Sequence, residues 1–206
     1  MDYWRKKYFI QSIKENQEIA LIGIGDLDAY MKMNNNERVE KCDAFRLHYS
    51  GCKYDLYDIS ERLVQKVRLL NMNAHVLDVT KKPLNKKYDI IFASDVIEHT
   101  YSPVNFLLNI SKSLKEGGKM VITTPNALYW RQFIRTSEFH EHMQTFNTEN
   151  FKNLAKLLKL EIIELTSFQT ISNKNNSIRR ISHFISVLFA KHNRANSLIF
   201  VAKVIR

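Results

Sequence analysis

The stretch from Lys87 to Asn126 constrains the fold most, because it holds a fixed order of local patterns. A short apolar run, Tyr88–Ser94, predicts a buried strand, and a polar turn follows it directly. An amphipathic helix comes next, then Gly117 and Gly118, which we interpret as the helix C-cap, and then a second apolar run. Ligands of open α/β sheets bind beyond the carboxyl ends of the strands. We therefore expect chemistry at the turn that begins with Asp95.

Strands and helices alternate along the whole chain. This alternation predicts an α/β fold with a doubly wound, mainly parallel sheet and helices on both faces. The last two strands are separated by a longer excursion, which allows an antiparallel edge hairpin. The predicted strands are 18–25, 53–59, 74–79, 88–94, 119–124, 161–168 and 198–205, and the predicted helices are 36–50, one capped by Ser60, 102–115, 148–158 and 178–191.

The length of 206 residues suits a single domain, residues 1–206. We assign residues 1–16 to an N-terminal extension and 174–194 to an amphipathic excursion before the last strand. No apolar run approaches the roughly 18 residues that span a bilayer, and the N-terminus lacks the apolar stretch of a signal peptide. Cys42 and Cys52 have neither metal-ligand nor redox spacing. We therefore expect a cytoplasmic protein.

The formal net charge of +10 raises the question of an anionic partner. Because the lysines are spread over nearly every segment, we favour a general surface excess over a nucleic-acid footprint.

The succession of elements resembles the class I S-adenosylmethionine-dependent methyltransferases over roughly residues 17–206. The most specific segments are YDIIFASDVIEH and LKEGGKMVITTPN, which are similar to the fourth-strand to fifth-strand region of that superfamily. HEHMQTFNTENFKNLAKLLKLEIIEL is similar to its sixth helix and sixth strand. The resemblance implies a seven-stranded Rossmann-like sheet with a reversed last strand, S-adenosyl-L-methionine as cofactor, and methyltransferase activity.

The first glycine motif departs from the family pattern. Leu21 stands where the family usually has an acidic residue, and of three alternating glycines only Gly23 and Gly25 are present. The two glycines still permit close backbone approach to a cofactor. Asp26 or Asp28 would have to substitute for the missing carboxylate.

The resemblance implies further cofactor-binding residues at strand ends. Asp58 would accept hydrogen bonds from the ribose hydroxyls, and Asp78 would lie beside the adenine. The alternatives are a helix-start acid stabilised by the helix dipole and a plain turn acid. The complete predicted cofactor set is Gly23, Gly25, Asp58, Ile59, Asp78, Val79, Ser94 and Asp95.

Asp95, Glu98 and His99 have i, i+3, i+4 spacing, so a helical turn would project them from one face. The plain interpretation is a helix start with acids near its positive end, and we predict no metal. The alternative is a divalent-metal site of Asp95, Glu98, His99 and His142, in which His140 could take the place of His142. It is suggested because some methyltransferases that act on vicinal hydroxyls carry a similar acid-x-x-Glu-His and a later histidine.

His99 and His142 are the candidate general bases. An imidazole titrates near the working pH and can remove a proton from an acceptor hydroxyl. The alternative is a structural role for each histidine.

Segments after the fifth strand offer candidate acceptor and partner contacts. The aromatic side chains would wall an acceptor pocket or pack against the sheet, and the arginines would bind an anionic acceptor or face water. The basic amphipathic excursion would cover the sheet or a dimer partner, or contact a membrane surface. These residues are Tyr129, Trp130, Arg131, Phe133, Arg135, Phe139 and the segment 178–194.

The sequence therefore predicts a methyltransferase that acts on an oxygen of a saccharide or other small acceptor. The stretch from Thr123 to Phe146 looks most like methyltransferases of glycan biosynthesis. An RNA methyltransferase is the first alternative, and a catalytically inactive scaffold or partner subunit is the second. We expect a monomer or homodimer with a small-molecule or glycan acceptor, and favour this acceptor over nucleic acid.

Overall fold

The computed structural model describes residues 7–8, 13–129, 142–168 and 196–205. The predicted excursion at 174–194 lies outside these residues, as do Trp130, Arg131, Phe133, Arg135, Phe139 and His140. The strands are β1 (Glu18–Ile22), β2 (Lys53–Asp58), β3 (Ala74–Val76), β4 (Tyr88–Ser94), β5 (Leu114–Pro125), β6 (Leu160–Phe168) and β7 (Ser197–Val204). The α-helices are α1 (Leu27–Met31), α2 (Asn35–Lys41), α3 (Asp43–His48), α4 (Glu61–Arg68), α5 (Pro103–Lys112) and α6 (Thr148–Leu158), and a 3-10 helix covers Ile97–His99.

The seven strands form one sheet in the order β3-β2-β1-β4-β5-β7-β6. The first five strands are parallel, and β7 is antiparallel to both β5 and β6. This topology confirms the predicted doubly wound sheet with a reversed last strand and the predicted antiparallel pair at its edge. The strand order reverses between β1 and β4, which is where open α/β sheets bind ligands.

Two apolar layers hold the sheet between its helices. Along β1, Ile19 and Leu21 pack on the side of α1, α3 and α4, whereas Ala20 and Ile22 pack on the side of α5 and α6. Because a parallel strand is covered on both faces, it reads as a continuous apolar run rather than an alternating one. The interior strands accordingly lie in the core over most of their length.

The single helix predicted over 36–50 is wrong, because Cys42 divides it into α2 and α3. Asn34 and Glu37 form a capping box that starts α2. Cys42 then adopts an extended conformation, with φ −113° and ψ 120°, and begins α3. The two helices differ in burial, since Phe45 and Leu47 of α3 lie in the core. The short helix α1 was not predicted.

The predicted C-cap role of Gly117 and Gly118 is also wrong. Helix α5 already ends at Lys112, and β5 begins at Leu114. The register of β5 against β4 shifts just after Tyr88, so the two glycines lie in an irregularity of the strand. A Cβ at Gly118 would lie 2.8 Å from the Tyr88 carbonyl oxygen. The close approach of the two strands therefore requires this glycine.

Strand β3 ends at Val76 instead of Val79, so Asp78 lies in the loop beyond it. The predicted bounds of β4 and α6 are confirmed. Within the described part of the chain, no helix combines the length and apolar character needed to cross a membrane.

Candidate active site

The loop after β1 is a tight turn that packs against the loop after β4. Gly23 and Gly25 have positive φ angles of 85° and 81°. The Gly23 N–H donates to the Tyr57 carbonyl oxygen over 2.8 Å. A Cβ at Gly23 would lie 2.4 Å from Cγ2 of Val96, a distance that no real side chain adopts. Position 23 therefore requires glycine for two reasons: its φ is positive, and Val96 leaves no room for a Cβ.

Asp58, at the end of β2, joins this glycine turn to the start of α4. Its Oδ2 accepts the Ile24 N–H at 2.9 Å, and its Oδ1 accepts the Ser60 N–H at 2.8 Å. A carboxylate has about four acceptor sites, so both oxygens can still accept ribose hydroxyls. Leu21, at the position of the missing family acid, is a core side chain. Asp58 thus fixes the glycine turn in this protein, a role that sequence reasoning missed.

Asp26 and Asp28 are engaged elsewhere in the structure. Asp26 caps α1 by accepting the Ala29 N–H at 3.1 Å. Asp28 forms ion pairs with Arg62 and Lys66 of α4. Neither contact holds the glycine turn in the way that the Asp58 carboxylate does.

The residues predicted to surround the adenine have different environments. Ile59 follows Asp58 directly and is 69% exposed, an apolar surface next to the predicted ribose site. Asp78 accepts the N–H and the hydroxyl of Thr80, and the hydroxyl contact is the main reason why the pKa of Asp78 is lowered. Val79 is buried in the core, and its carbonyl oxygen accepts from Asn109 over 2.7 Å.

Ser94 and Asp95 connect the end of β4 to β5. The Ser94 and Thr123 hydroxyls are 3.0 Å apart, and the Asp95 N–H donates to the Thr123 carbonyl oxygen over 2.9 Å. Asp95 is exposed and has a φ of 52°, in the left-handed region. This backbone conformation ends the strand and redirects the chain into the 3-10 helix.

Glu98 points into the protein, whereas Asp95 and His99 are exposed. The expected common face is therefore not formed, because the turn is a 3-10 helix that begins after Asp95. Glu98 is 1% exposed, and its Oε2 accepts the Thr124 hydroxyl at 3.0 Å. Its Oε1 has no hydrogen-bond partner within the described residues. Burial, together with the charge of Asp95, raises the pKa of Glu98 to about 8.

The structure brings His142 to this turn. The Met143 and Gln144 N–H groups both donate to the Glu98 carbonyl oxygen, over 2.8 and 3.0 Å. The His99 and His142 ring centroids are 4.9 Å apart at an interplanar angle of 74°. One side-chain ligand atom each from Glu98, His99 and His142 lies within 4.8 Å of the others, and Asp95 is not part of this group.

The segment after β5 is paired with the segment that follows His142. Asn126 is fully buried and pairs with Phe146 in an isolated bridge, which brings the two loops together. Tyr129 is buried, so this member of the predicted aromatic group packs against the protein. Thr123 and Thr124 were not predicted as supporting residues, although their position at the end of a buried strand next to β4 was a usable signal.

Comparisons with known proteins agree with this architecture. A family model described as a methyltransferase domain matches residues 38–165, more than half of the chain. The chain therefore belongs to the methyltransferase domain family, and the predicted class I S-adenosylmethionine-dependent methyltransferase superfamily is confirmed. Among curated proteins, none matches the chain.

Several solved structures share the fold at low sequence identity. A chain of the complex between the Haloferax volcanii Trm112 methyltransferase activator and its methyltransferase is 14% identical, with a TM-score of 0.69, and 99% of this chain and 91% of that one are covered. A SAM-dependent methyltransferase from Archaeoglobus fulgidus is 20% identical, with a TM-score of 0.62 and coverage of 97% and 91%. The O-methyltransferase from a Brevibacillus brevis trans-AT PKS multienzyme, in complex with S-adenosyl-L-homocysteine, is 16% identical, with a TM-score of 0.56 and coverage of 91% and 66%.

Proposed function

We propose that this methyltransferase transfers a methyl group from S-adenosylmethionine to an oxygen of a saccharide or other small acceptor. The observation that carries the proposal is the Asp58 carboxylate, which fixes the glycine turn and the start of α4 at the switch point of the sheet. In an α/β sheet this is the place where a nucleoside is held.

The residues at the switch point suit the cofactor. Asp58 retains acceptor capacity for the two ribose hydroxyls, and the exposed Ile59 offers an apolar contact for the adenine. Gly23 and Gly25 leave backbone without side chains near the methionine end. When bound, S-adenosylmethionine supplies an electrophilic methyl group on its sulfonium.

Methyl transfer to a hydroxyl requires an aligned oxygen and a group that takes its proton. His99 and His142 supply two imidazoles beyond the end of β4, where Ser94 and Asp95 border the cofactor crevice. The proposal of an oxygen acceptor is supported by these imidazoles and by the Brevibacillus brevis neighbour, which is an O-methyltransferase. The preference for a saccharide is supported by the resemblance of the stretch 123–146.

The test is an acceptor panel with S-adenosylmethionine that carries an isotopically labelled methyl group. The panel contains saccharides with hydroxyls, the same saccharides with every hydroxyl blocked, amine analogues and RNA. We expect label in the unblocked saccharides, at an oxygen located by mass spectrometry, and no label when Asp58→Ala replaces the wild type. Label in the amines or in RNA instead would overturn the choice of acceptor.

A further inference from the structure

We infer that Glu98, His99 and His142 form a binding site for a divalent transition-metal ion beside the cofactor crevice. Binding of the ion stands independently of the proposed function, whereas its role towards the acceptor rests on that function.

The three side chains converge in the structure. Their ligand atoms lie within 4.8 Å of one another. Nitrogen and oxygen ligands stand about 2.0–2.2 Å from a zinc-like ion, so ligand atoms around one ion are about 3 to 4 Å apart. The observed separation of at most 4.8 Å is close to that range, and His99, at the exposed side of the group, is open to solvent.

The described residues use only part of the hydrogen-bonding capacity of the Glu98 carboxylate. The side chain is almost completely buried and held from one side by Thr124, yet Oε1 has no hydrogen-bond partner within the described residues. Burying a polar atom without a partner costs free energy that a bound cation removes. A carboxylate oxygen of the same side chain lies within 4.8 Å of a nitrogen of each imidazole, so a cation bound at this cluster would also be a partner for the Glu98 carboxylate.

Backbone hydrogen bonds hold the chain around the cluster. The two N–H groups that follow His142 bind the carbonyl oxygen of Glu98, so two segments far apart in sequence meet at one peptide. The two rings meet edge to face instead of stacking, and one nitrogen of each ring lies within the 4.8 Å group of ligand atoms. The cluster is therefore fixed by backbone hydrogen bonds as well as by side-chain packing.

The donor set indicates which ion would bind. One carboxylate and two imidazoles suit zinc, cobalt(II), iron(II) or manganese better than magnesium or calcium, which prefer oxygen ligands alone. Three protein ligands leave open positions on the ion for substrate or water. These positions would take two neighbouring oxygens of an acceptor.

A bound ion changes the role of the two imidazoles in the proposed reaction. As a Lewis acid it would lower the pKa of a coordinated acceptor hydroxyl, so the hydroxyl proton would leave to water, and His99 and His142 would serve as ligands. The oxygen electron pair then forms the new bond to the methyl carbon, while the pair of the broken sulfur–carbon bond stays on sulfur. Charge and atoms balance without another reactant.

Direct titration with cobalt(II) and zinc(II) tests the site in the full chain without S-adenosylmethionine. The protein is purified without a histidine tag, stripped with a chelator, and followed by calorimetry and by the visible absorption of cobalt(II). We expect saturable binding of one ion per chain. Glu98→Gln, His99→Gln and His142→Gln should each weaken it at least tenfold, and circular dichroism checks that each variant is folded.

His48→Gln is the matched control, because His48 lies on α3 and contacts the Tyr54 hydroxyl of β2, away from the cluster. It should bind cobalt(II) like the wild type. Non-saturable binding by the wild type, or an affinity equal to that of the wild type in all three cluster variants, overturns the inference. A parallel titration with S-adenosylhomocysteine separates the outcomes: cofactor binding without metal binding refutes the ion site alone, and metal binding without cofactor binding refutes the proposed function alone.

Discussion

Asp58 fixes two loops at once, because each of its carboxylate oxygens accepts a backbone N–H from a different segment. Hydrogen bonds to a charged group contribute about 1.5–3 kcal/mol each. The sequence placed Asp58 at the end of a strand, which was enough to predict its location. It did not show that Asp58 fixes the glycine turn, because the contact with the Ile24 N–H joins residues far apart in the chain.

Gly23→Ala should lower the free energy of unfolding by about 2–4 kcal/mol, since it adds strain at a positive φ and a clash with Val96. Urea unfolding measures the loss. Gly51→Ala is the control, because Gly51 also has a positive φ but no atom lies within 4 Å of its added Cβ. It should lose only about 1 kcal/mol. Equal losses in both variants would show that the contact with Val96 has no energetic weight.

Asp55 is a second residue whose contacts matter more than its position in β2. It is 3% exposed, accepts from Tyr88 and His75, and pairs with Lys86 over 3.0 Å. Burial alone would raise the pKa of Asp55, but the hydrogen bonds to His75, Lys86 and Tyr88 outweigh it and lower the pKa. The ionised carboxylate is therefore the form that stabilises the fold.

A lowered pKa in the folded state stabilises the protein above the unfolded value of about 3.9 and loses that contribution as the pH falls through the folded value. Asp55→Asn should lower the free energy of unfolding at pH 7 by about 3 kcal/mol. It should also flatten the loss of stability that the wild type shows below about pH 4. Urea unfolding at a series of pH values measures both effects.

Glu161→Gln is the control for this series, because Glu161 pairs with Lys203 on the surface. It should change stability by less than about 1 kcal/mol. If the free energy of unfolding falls as steeply below about pH 4 in Asp55→Asn as in the wild type, the acid sensitivity belongs to other carboxylates.

At the scale of elements, boundaries could be predicted where a local signal marks them. The bounds of α6 follow from the cap at Asn147 and those of β4 from a continuous apolar run. The break at Cys42 and the early start of β5 could not be predicted, since both depend on tertiary packing. A Gly-Gly pair marks a helix cap or a strand irregularity equally well, and the position of Tyr88 on the neighbouring strand decides between them.

The inward orientation of the Glu98 side chain could not be predicted from the sequence pattern either. The i, i+3, i+4 spacing places three residues on one face only if the turn is α-helical and starts at Asp95. Asp95 instead adopts a left-handed conformation, and its N–H donates to β5. The turn is therefore a 3-10 helix that begins only after Asp95. Glu98 consequently turns inward, and His142 from another segment completes the cluster.

Asn147→Ala should lower the free energy of unfolding by about 1 kcal/mol, since it removes the capping box with Asn150 at the start of α6. Thermal and urea unfolding measure the change. Asn147→Asp keeps an acceptor and adds charge at the positive end of the helix, so its stability should equal or exceed that of the wild type. A loss in Asn147→Asp as large as that in Asn147→Ala would contradict the capping account.

For the whole molecule, the alternation of strands and helices was sufficient to predict a mainly parallel sheet with helices on both faces, whereas the seven strands and the reversed last strand were implied by the resemblance. The carboxyl-end edge of the sheet was predicted as the location of the candidate site, because ligands of open α/β sheets bind there. Several lysines of the basic surface pair with carboxylates, among them Lys66, Lys81, Lys86 and Lys115. This pairing agrees with a general surface excess of charge.

RNA binding should therefore be weak at physiological salt and lack sequence preference. Filter binding or anisotropy with labelled single- and double-stranded RNA, over a salt series, measures it. A protein that reads RNA through many phosphate contacts loses about 10³–10⁵ in affinity between 50 and 200 mM salt. Tight binding with such a steep slope would favour the RNA methyltransferase.

Calorimetric titration with S-adenosylhomocysteine tests most directly whether the switch point of the sheet holds the cofactor. The wild type should bind one ligand per chain, and Asp28→Asn, which changes an exposed ion pair, should bind equally well. Asp58→Ala should weaken binding at least tenfold while the protein stays folded. Absence of binding by folded wild type at millimolar ligand, or unchanged affinity in Asp58→Ala, would contradict the account.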